Sequence, residues 1–430
     1  MNSKRSNRKP LAYQLQTIRL AMKTYATIIF VILVSGALSL TPTLSFPVSN
    51  VIIRNSGSIG TISPLHVEGK YIKDSFGNTV YLRGVNKAEF ADAPGGIWMG
   101  KKVTDFSQWN VADVKAELDA MKSWGCNVVR CHQAVSCWKF NEGNHRQIMK
   151  DFLSLTAERG MYVIYDMFCL KTYPESYIHS LPYPPYQNPE HPQIDVIASE
   201  DEFVDYWRSV ATELKDYPNV IFELWNEPHY HPDYTDEIVF ASWTSVAQRC
   251  IDAIRAAGVN QLIIFQWGYG VYANLDFGGG AGLEWILEAN LTDSTGNLVY
   301  STHIYRIYSG CGVYSIQESK DHWNSSYAWD YNEIKRAFQI ERIDWVGDTL
   351  NVPLIIGETG CDLAWTDTEL EHELVAWNNT LTIFNEWELH YTAFWWRNSG
   401  IFRLLKYGDP WIPPPSTGGE ILINALKSQE

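Results

Sequence analysis

The sequence predicts an α/β fold of the (β/α)8 type, a TIM barrel formed by a single domain. Two observations indicate this fold. After residue 63, short apolar runs alternate with longer segments of helical period, and eight such runs occur. Frequent alternation of strand and helix is typical of a parallel sheet, and eight units close into a barrel. An open doubly wound sheet is the competing fold, but neither GxGxxG nor GxxxxGKS/T follows the first strand.

Each predicted strand is an apolar run, mostly of β-branched and aromatic residues. In chain order the strands cover residues 81–86, 127–130, 161–166, 220–226, 262–267, 298–305, 352–358 and 391–396. Helical periodicity predicts helices at residues 111–124, 146–159, 238–257, 331–345 and 369–387. A further helix begins at Ser199, because the stretch SEDE has the spacing of a capping box. Loops at residues 172–196 and 274–283 are predicted to shape a cleft.

The first 63 residues have a different character. Basic residues precede the uncharged apolar segment TYATIIFVILVSGALSL at residues 24–40, which ends in small residues. This pattern is typical of a secretory signal, and the run is shorter than the ~20 residues of a spanning helix. We expect residues 1–45 to be a cleaved signal peptide, with an N-terminal membrane anchor as the alternative. Residues 46–63 are predicted to form a linker and residues 64–430 the catalytic domain. We expect the protein to be secreted or anchored at the extracellular surface.

Composition limits the partners. With a formal net charge of −15 the chain has no basic stripe for nucleic acid. Seven cysteines fit an exported protein with one or a few disulfides, and the odd count leaves at least one thiol unpaired in a monomer. No CxxC or HExxH spacing occurs, and Cys131, His132 and Cys137 are too loosely spaced for a zinc site. Neither a metal nor a cofactor is expected.

Polar residues stand where the predicted strands end. The stretch VIFELWNEPHY is the plainest case, because an apolar strand with one charged residue, Glu223, ends in Asn226 and Glu227, and Pro228 then stops the ladder. In a barrel, polar residues at the carboxyl ends of strands indicate chemistry. The residues at these ends are Asn86, Arg130, Asp166, Asn226, Glu227, Trp267, His303, Tyr305, Glu358, Trp395 and Trp396.

Two of these side chains are glutamates with different predicted neighbours. Two carboxylates without metal ligands or a cofactor loop are the minimal set for hydrolysing a glycosidic bond. One must stay protonated to donate to the leaving oxygen, and the other must stay ionised to attack the anomeric carbon. We expect Glu358 to lie near Arg130 and Tyr305, which keep it charged. Glu227, beside His303, is then the acid.

These stretches together resemble glycoside hydrolase family five, the retaining (β/α)8 cellulases and β-mannanases. The matching stretches run from residue 65 to residue 396, in the family's order: LHVEGKYIKDSFGNTVYLRGVN, NVVR, WNEP, THIY, PLIIGETG and FWW. The motif WNEP alone is weak, since related barrel glycosidases share it, but the ordered set is specific. The resemblance implies a (β/α)8 enzyme that acts on a β-linked polysaccharide or oligosaccharide.

The resemblance also implies roles for single residues. Glu227 corresponds to the general acid/base and Glu358 to the nucleophile. Asn226 corresponds to the partner of the sugar 2-hydroxyl, and Arg130 holds the nucleophile ionised. The remaining positions are His303 and Tyr305, which tune the site, and Trp395 or Trp396, which forms the platform under the sugar.

One position departs from the family pattern. After the third strand the family commonly shows an Asp, a spacer and a His, whereas this chain has Asp166, Met167 and Phe168. The usual histidine contact with the sugar is therefore absent or comes from elsewhere, and His132 is the nearest candidate. This departure affects the identity of the sugar more than the mechanism.

The leading hypothesis is a retaining endo-β-glycosidase acting on β-1,4-glucan. Retention requires the two carboxyls ~5–5.5 Å apart, and roughly 6.5–9.5 Å would indicate inversion. A β-mannanase or another β-glycan hydrolase of the same type is the close alternative. A non-catalytic carbohydrate-binding barrel would be signalled by loss of either glutamate, and both are present. A metal-dependent hydrolase would need clustered His and Asp ligands, for which only His303 qualifies clearly.

Overall fold

The strands and helices that position the site are seen in a computed structural model of the chain. It describes residues 62–87, 90, 97–98, 101–102, 110–141, 144–169, 199–228, 236–267, 282–306, 317–323, 325–406 and 414–428. All of these lie in one unit, residues 57–430. The predicted leader, most of the linker, and nearly all of the loops at 172–196 and 274–283 lie outside the described residues.

Eight parallel strands close into a barrel, which confirms the predicted fold. The barrel strands are β3 (Arg83–Lys87), β6 (Val128–Ala134), β7 (Tyr162–Cys169), β8 (Val220–Glu223), β9 (Ile263–Gln266), β10 (Leu298–Ile304), β11 (Leu354–Thr359) and β12 (His390–Ala393). Their order around the barrel is β10-β11-β12-β3-β6-β7-β8-β9. Two antiparallel pairs lie outside the barrel: β1 (His66–Glu68) with β2 (Tyr71–Lys73), and β4 (Ile97–Trp98) with β5 (Lys101–Lys102).

Helices follow most of the barrel strands, as the alternation predicts. They are α1 (Val111–Ser123), α2 (Val135–Phe140), α3 (His145–Ala157), α4 (Glu200–Leu214), α5 (Asp236–Ala256), α6 (Trp285–Ala289), α7 (Gln317–Trp323), α8 (Tyr331–Ile340), α9 (Ile343–Trp345), α10 (Asp367–Glu386) and α11 (Thr417–Lys427). The predicted cap of α4 is present, because the hydroxyl of Ser199 accepts a hydrogen bond from the Glu202 N–H at 3.2 Å.

Some element boundaries differ from the prediction for local reasons. The helix predicted at 331–345 is broken at Arg342, whose φ of 66° is in the left-handed region that ends a helix. The last strand ends at Ala393 rather than at residue 396. After Ala393 the regular strand ends: Trp395 N–H donates to Phe402 O at 3.1 Å, outside the barrel sheet, whereas Trp396 N–H donates to Asn86 O of β3 at 2.9 Å.

The barrel interior changes from apolar to polar along the strands. Its apolar part includes Leu82, Val128, Ile164, Ile221, Ile264, Val299 and Ile355. Side chains two residues further along a strand point to the same face. Those positions hold buried polar side chains on five of these strands: Arg130, Asp166, Glu223, Gln266 and Ser301. The polar side chains thus gather toward the carboxyl ends of the strands, where the chemistry was predicted.

The β1–β2 hairpin packs at the opposite, amino end of the barrel. Leu65 and Ile72 share a core cluster with the apolar interior, and Val67 N–H donates to the side chain of Asn297, just before β10, at 2.9 Å. Among the described residues no helix combines the length and apolar character needed to cross a membrane.

Three buried cysteines of the described region are free thiols. They are Cys126, Cys250 and Cys361. Burial raises the pKa of Cys126 to about 12. These three cysteines do not contribute to the expected disulfides, because each thiol is packed among core side chains. The Cys169 side chain and Cys311 lie outside the described part of the chain.

Candidate active site

Most of the sequence-predicted site residues meet at the carboxyl end of the barrel. They are carried by different strands and by the turns that follow them, and hydrogen bonds or ion pairs join Asn86, Arg130, His132, Asn226, Glu227, His303, Tyr305 and Glu358. Of this set, all but Glu227 are buried. A protein interior accepts this many polar groups only when they pair with one another.

Glu227 and Glu358 face each other across the mouth. One carboxylate oxygen of each, together with a ring nitrogen of His303, lies within 4.8 Å of the others. The side chain of Glu227 is 26% exposed and that of Glu358 is 7% exposed. The two carboxylates therefore share one small space but differ in access to solvent.

The backbone at Glu227 has a conformation that non-glycine residues rarely adopt. Its φ is 46°, in the left-handed region. The side chain of Gln266, at the end of β9, accepts a hydrogen bond from Glu227 N–H at 2.9 Å. This bond links the turn after β8 to the neighbouring strand, and it aims the glutamate into the mouth.

His303 is the partner of Glu227. Its Nδ1 lies 2.6 Å from Glu227 Oε1, and the ring is fully buried. The ring packs closely against Gly357 of β11, where an added Cβ would come within 2.9 Å of His303 Nε2 and of Ser301 Oγ. Only glycine leaves room for the imidazole in this position, so the GETG motif supports both catalytic candidates.

Glu358 is held by donors on both oxygens. Arg130 Nη1 donates to Oε1 at 2.8 Å, and the Tyr305 hydroxyl donates to Oε2 at 2.8 Å, as the sequence predicts. Burial nevertheless raises the pKa of Glu358 above its ordinary value, and the Glu227 charge adds to this. Interactions with His303, Arg130 and Tyr305 lower the pKa in part. The site therefore holds an oriented and basic carboxylate.

Arg130 joins most of the buried residues of the site. It forms a two-pronged pair with Glu223, with Nε to Oε2 at 2.6 Å and Nη2 to Oε1 at 3.0 Å. It also donates to the side-chain oxygens of Asn86 at 3.0 Å and Asn226 at 2.8 Å. The bidentate pair fixes the guanidinium plane, and the remaining donors then reach Glu358 and the two amides.

Sequence reasoning gave Glu223 no role, although the signal was present. It is the one charged residue in an apolar strand, two positions after the inward-facing Ile221. The two-residue period of a strand places it on the interior face, and a buried carboxylate there needs a cation.

Asp166 also lies beside Arg130, with Oδ2 3.1 Å from Nη2. Burial raises the pKa of Asp166 well above its ordinary value, and Arg130 only partly lowers it. Its register partner on β8 is Glu223, and its partner on β6 is His132. In this layer Glu223 therefore holds the guanidinium through the bidentate pair, while the pKa of Asp166 is raised.

A row of stacked rings forms one wall of the mouth. His132 stacks on Phe168 with centroids 4.1 Å apart, and it lies 5.9 Å from Phe394. Phe394 in turn stacks on Trp395 at 4.7 Å with an interplanar angle of 6°. His132 is fully buried with Nε2 2.9 Å from Asn86 Oδ1, so it supports this wall from below.

The two tryptophans at the end of the last strand have different surroundings. Trp395 is half-buried in this wall, with the Arg397 guanidinium 4.1 Å from its ring centroid. Trp396 is 2% exposed and packs edge-on against Trp124 at 4.7 Å, in the core. Of the two platform candidates, only Trp395 is partly exposed. Trp267 is fully buried in the core.

The contacts favour acid–base chemistry over metal binding. Within the described ranges, Glu227, His303 and Glu358 are the one set of three side chains whose ligand atoms converge. Their atoms are already engaged: Glu227 with His303, and both oxygens of Glu358 with Arg130 and Tyr305. A guanidinium bonded to one of the three would repel a divalent cation.

Comparison with known proteins agrees with this geometry. The sequence matches the family model for cellulase, glycosyl hydrolase family 5, over residues 75–400. Two curated relatives match shorter segments. Endoglucanase 1 of Robillarda sp. is 30% identical over 136 residues, covering 29% of this chain and 30% of the relative. Endo-beta-1,4-glucanase B of Emericella nidulans is 32% identical over 126 residues, covering 28% and 33%. The chain thus spans about a third of the length of these relatives.

Solved structures share the fold over nearly the whole chain. A β-glucanase of Saccharophagus degradans in complex with cellotetraose superposes with a TM-score of 0.60 and 19% identity, covering 90% of this chain and 98% of that one. The catalytic domain of a mannanase from Streptomyces sp. gives a TM-score of 0.50 and 18% identity, covering 89% and 96%. At these identities the likeness concerns the fold.

Proposed function

The chain belongs to the cellulase family, glycosyl hydrolase family 5, and from this membership we propose that it is a retaining endo-β-glycosidase that cleaves β-1,4-glucan. The observation that carries the proposal is the facing pair Glu227 and Glu358, with carboxylate oxygens within 4.8 Å. This spacing, taken between one oxygen of each carboxylate, is compatible with the ~5–5.5 Å between the carboxyls of retaining enzymes and is shorter than the roughly 6.5–9.5 Å of inverting ones.

In the first step, Glu358 attacks the anomeric carbon while Glu227 donates its proton to the glycosidic oxygen. The bond between that oxygen and the anomeric carbon breaks, and the sugar becomes an ester of Glu358. Arg130 and Tyr305 hold one oxygen each, so they orient the attacking carboxylate. The partly exposed Glu227 is the one that reaches the leaving group.

In the second step, Glu227 acts as a base. It takes a proton from the incoming water, whose oxygen attacks the same carbon and releases Glu358 as a carboxylate. His303 Nδ1 lies 2.6 Å from Glu227 Oε1. The imidazole can donate a hydrogen bond to the Glu227 carboxylate and accept one from the Glu227 carboxylic acid, so it can stabilise Glu227 in both protonation states.

Asn226 is assigned to the sugar hydroxyl next to the reacting carbon. Its Oδ1 accepts from Arg130 Nη2 at 2.8 Å, which fixes the amide orientation. Its Nδ2 is buried, and no described residue accepts a hydrogen bond from it. A donor held in place without a protein acceptor suits a substrate hydroxyl, which strengthens this bond as charge develops.

The glucan assignment is supported by the endoglucanase relatives and by the neighbouring β-glucanase fold with bound cellotetraose. A β-mannanase is the alternative, and the fold likeness to a mannanase favours keeping it. Phe168 is the residue behind this alternative, because it places an apolar ring where the family pattern has a histidine. The apolar N-terminal segment supports export, so we place the enzyme outside the cell.

The experiment is reducing-sugar release from carboxymethylcellulose, barley β-glucan, glucomannan, mannan and xylan, with the wild-type chain beside Glu358→Gln. Release from the glucans that disappears in the variant supports the proposal. Release from mannan alone keeps the mechanism and changes the substrate. Release that survives Glu358→Gln, or silence on every glycan, contradicts the proposal and favours a carbohydrate-binding barrel.

A further inference from the structure

A second cavity lies at the amino end of the barrel, on the side away from Glu227 and Glu358. We call it the amino-end cleft. It has a volume of about 140 Å³, and the lining side chains used below are Tyr71, Tyr81, Asp348, Trp387, Glu388 and His390. They come from the β1–β2 hairpin, the segment before β3, the turn Val346–Leu350, and the connection between α10 and β12.

His390 brings a buried hydrogen-bond donor to this cleft. The ring is 3% exposed, and its Nδ1 accepts from Leu82 N–H at 2.9 Å. A ring nitrogen that accepts carries no proton, so in the neutral imidazole the proton is on Nε2. The burial of His390, with the nearby Arg83 charge, lowers its pKa to about 3. No described residue accepts from Nε2, which leaves a fixed and neutral donor beside the cavity.

Three aromatic side chains frame the cleft. Tyr71, Tyr81 and Trp387 are each half-buried and line the cleft. One face of each ring has a cation over it: Lys70 at 5.6 Å, Arg83 at 5.1 Å and Lys335 at 5.9 Å from the respective centroid. The Tyr81 hydroxyl donates to Glu388 Oε1 at 2.8 Å, which holds both side chains in place. Flat apolar surfaces of this kind suit ligands with one apolar face.

The acidic side chains of the cleft supply acceptors rather than a cation site. Glu388 has one oxygen bonded to Tyr81, and Asp348 has one oxygen bonded to Lys70 at 2.8 Å. Each keeps a second oxygen that no described residue binds. Within the residues that the structure describes, the acids of this cleft do not converge as metal ligands do, and their charge disfavours an anion.

We propose that the amino-end cleft binds a neutral sugar ring, such as one end of a β-linked gluco-oligosaccharide. A pyranose has an apolar face for the rings and a rim of hydroxyls that both donate and accept. The cleft offers the matching set: aromatic faces, open carboxylate oxygens, and the Nε2–H of His390. The site is separate from the catalytic mouth, and its ligand would be held without being cleaved.

The test is isothermal titration of the full chain carrying Glu358→Gln with cellotetraose, at about pH 6. We expect two binding events per chain. Adding Trp387→Ala should weaken the second event by about tenfold, which corresponds to about 1.4 kcal/mol, and leave the first unchanged. In the chain with Glu358 intact, Trp387→Ala should leave kcat/KM on short soluble substrates within about twofold, a small effect on transition-state stabilisation.

Trp345→Ala is the matched control, since Trp345 is also partly buried against the core but does not line the cleft. Glu388→Ala is a second test at an exposed residue, in case Trp387→Ala unfolds the chain. A single binding event that Trp387→Ala and Glu388→Ala leave unchanged, or a second event that neither substitution affects, overturns the inference. The titration does not depend on turnover. The inference about the amino-end cleft can therefore fail while the catalytic proposal holds, and the catalytic proposal can fail while the inference holds.

Discussion

His303 Nδ1 lies 2.6 Å from Glu227 Oε1, while the facing Glu358 is bonded to Arg130 and Tyr305 at 2.8 Å each. One carboxylate therefore pairs with a group that can give and take a proton, and the other with a permanent cation and a phenol. This asymmetry gives two chemically identical side chains different roles.

Glu227→Ala should separate the two steps of the reaction. On aryl glycosides with good leaving groups the first step needs no proton donor, so measurable turnover of that step should remain. Added azide should then attack the glycosyl ester and restore turnover with retained configuration. Product release measured by absorbance, with and without azide, checks this. Equal losses in Glu227→Ala and Glu358→Ala, with no azide effect on either, would count against the roles.

Tyr305→Phe should move the acidic limb of the pH profile of kcat/KM to higher pH. The phenol donates to Glu358 and favours its ionised form, so removing it raises the pKa of a carboxyl that burial already raises. Since the nucleophile must be ionised, activity is then lost at a higher pH as the solution is acidified. Tyr300→Phe on the same strand is the control, because Tyr300 packs against Phe265 and Trp285 instead. An unchanged or lowered limb would refute the assignment.

Glu223→Gln and Asp166→Asn should differ in stability although both acids lie beside Arg130. Glu223→Gln leaves the buried positive charge of Arg130 without its bidentate carboxylate partner. This change should lower the free energy of unfolding by about 3 kcal/mol. Burial raises the pKa of Asp166 in the folded state. The protonated carboxyl therefore contributes to stability at low pH, and that contribution to stability is lost as the pH rises through the folded-state pKa. Asp166→Asn should therefore not lower stability near neutrality. Urea denaturation measures both, and equal losses would contradict this account of the layer.

Trp395→Ala should mainly lower activity, whereas Trp396→Ala should mainly lower stability. Trp395 is half-buried at the mouth, so its loss should reduce kcat/KM by about tenfold or more, with a small change in stability. Trp396 packs on Trp124 in the core, so its truncation should cost about 3–5 kcal/mol. Thermal melts measure the stability of each variant, and kinetics on one soluble glucan measure its activity. A stability loss confined to Trp395→Ala would reverse the assignment.

The sequence alone predicted the strands, which follow from a regular apolar pattern, and the site residues that stand at strand ends. The two-residue period and the apolar runs located the eight strands, and the carboxyl-end rule then brought Glu227, His303 and Glu358 together. Boundaries were less predictable. The left-handed Arg342 ends α8 early, and nothing in the pattern of residues 331–345 marks that residue as a break.

Side-chain environments were harder to predict because they depend on packing between distant segments. Neither Trp395 nor Trp396 is distinguished by sequence, and only the bond from Trp396 N–H to Asn86 O, with the packing on Trp124, separates them. The amino-end cleft is assembled from segments more than 300 residues apart, such as Tyr81 and Glu388. A reading based on the carboxyl ends of strands cannot find it.

The most direct test of the central claim is proton NMR of the anomers formed in the first minutes of hydrolysis of cellotetraose. The account predicts that the wild-type enzyme releases the β-anomer first, with the α-anomer appearing later by mutarotation, and that Glu358→Gln releases neither. Initial release of the α-anomer would show inversion, and it would contradict the assignment of Glu358 as the nucleophile that Arg130 and Tyr305 hold in place.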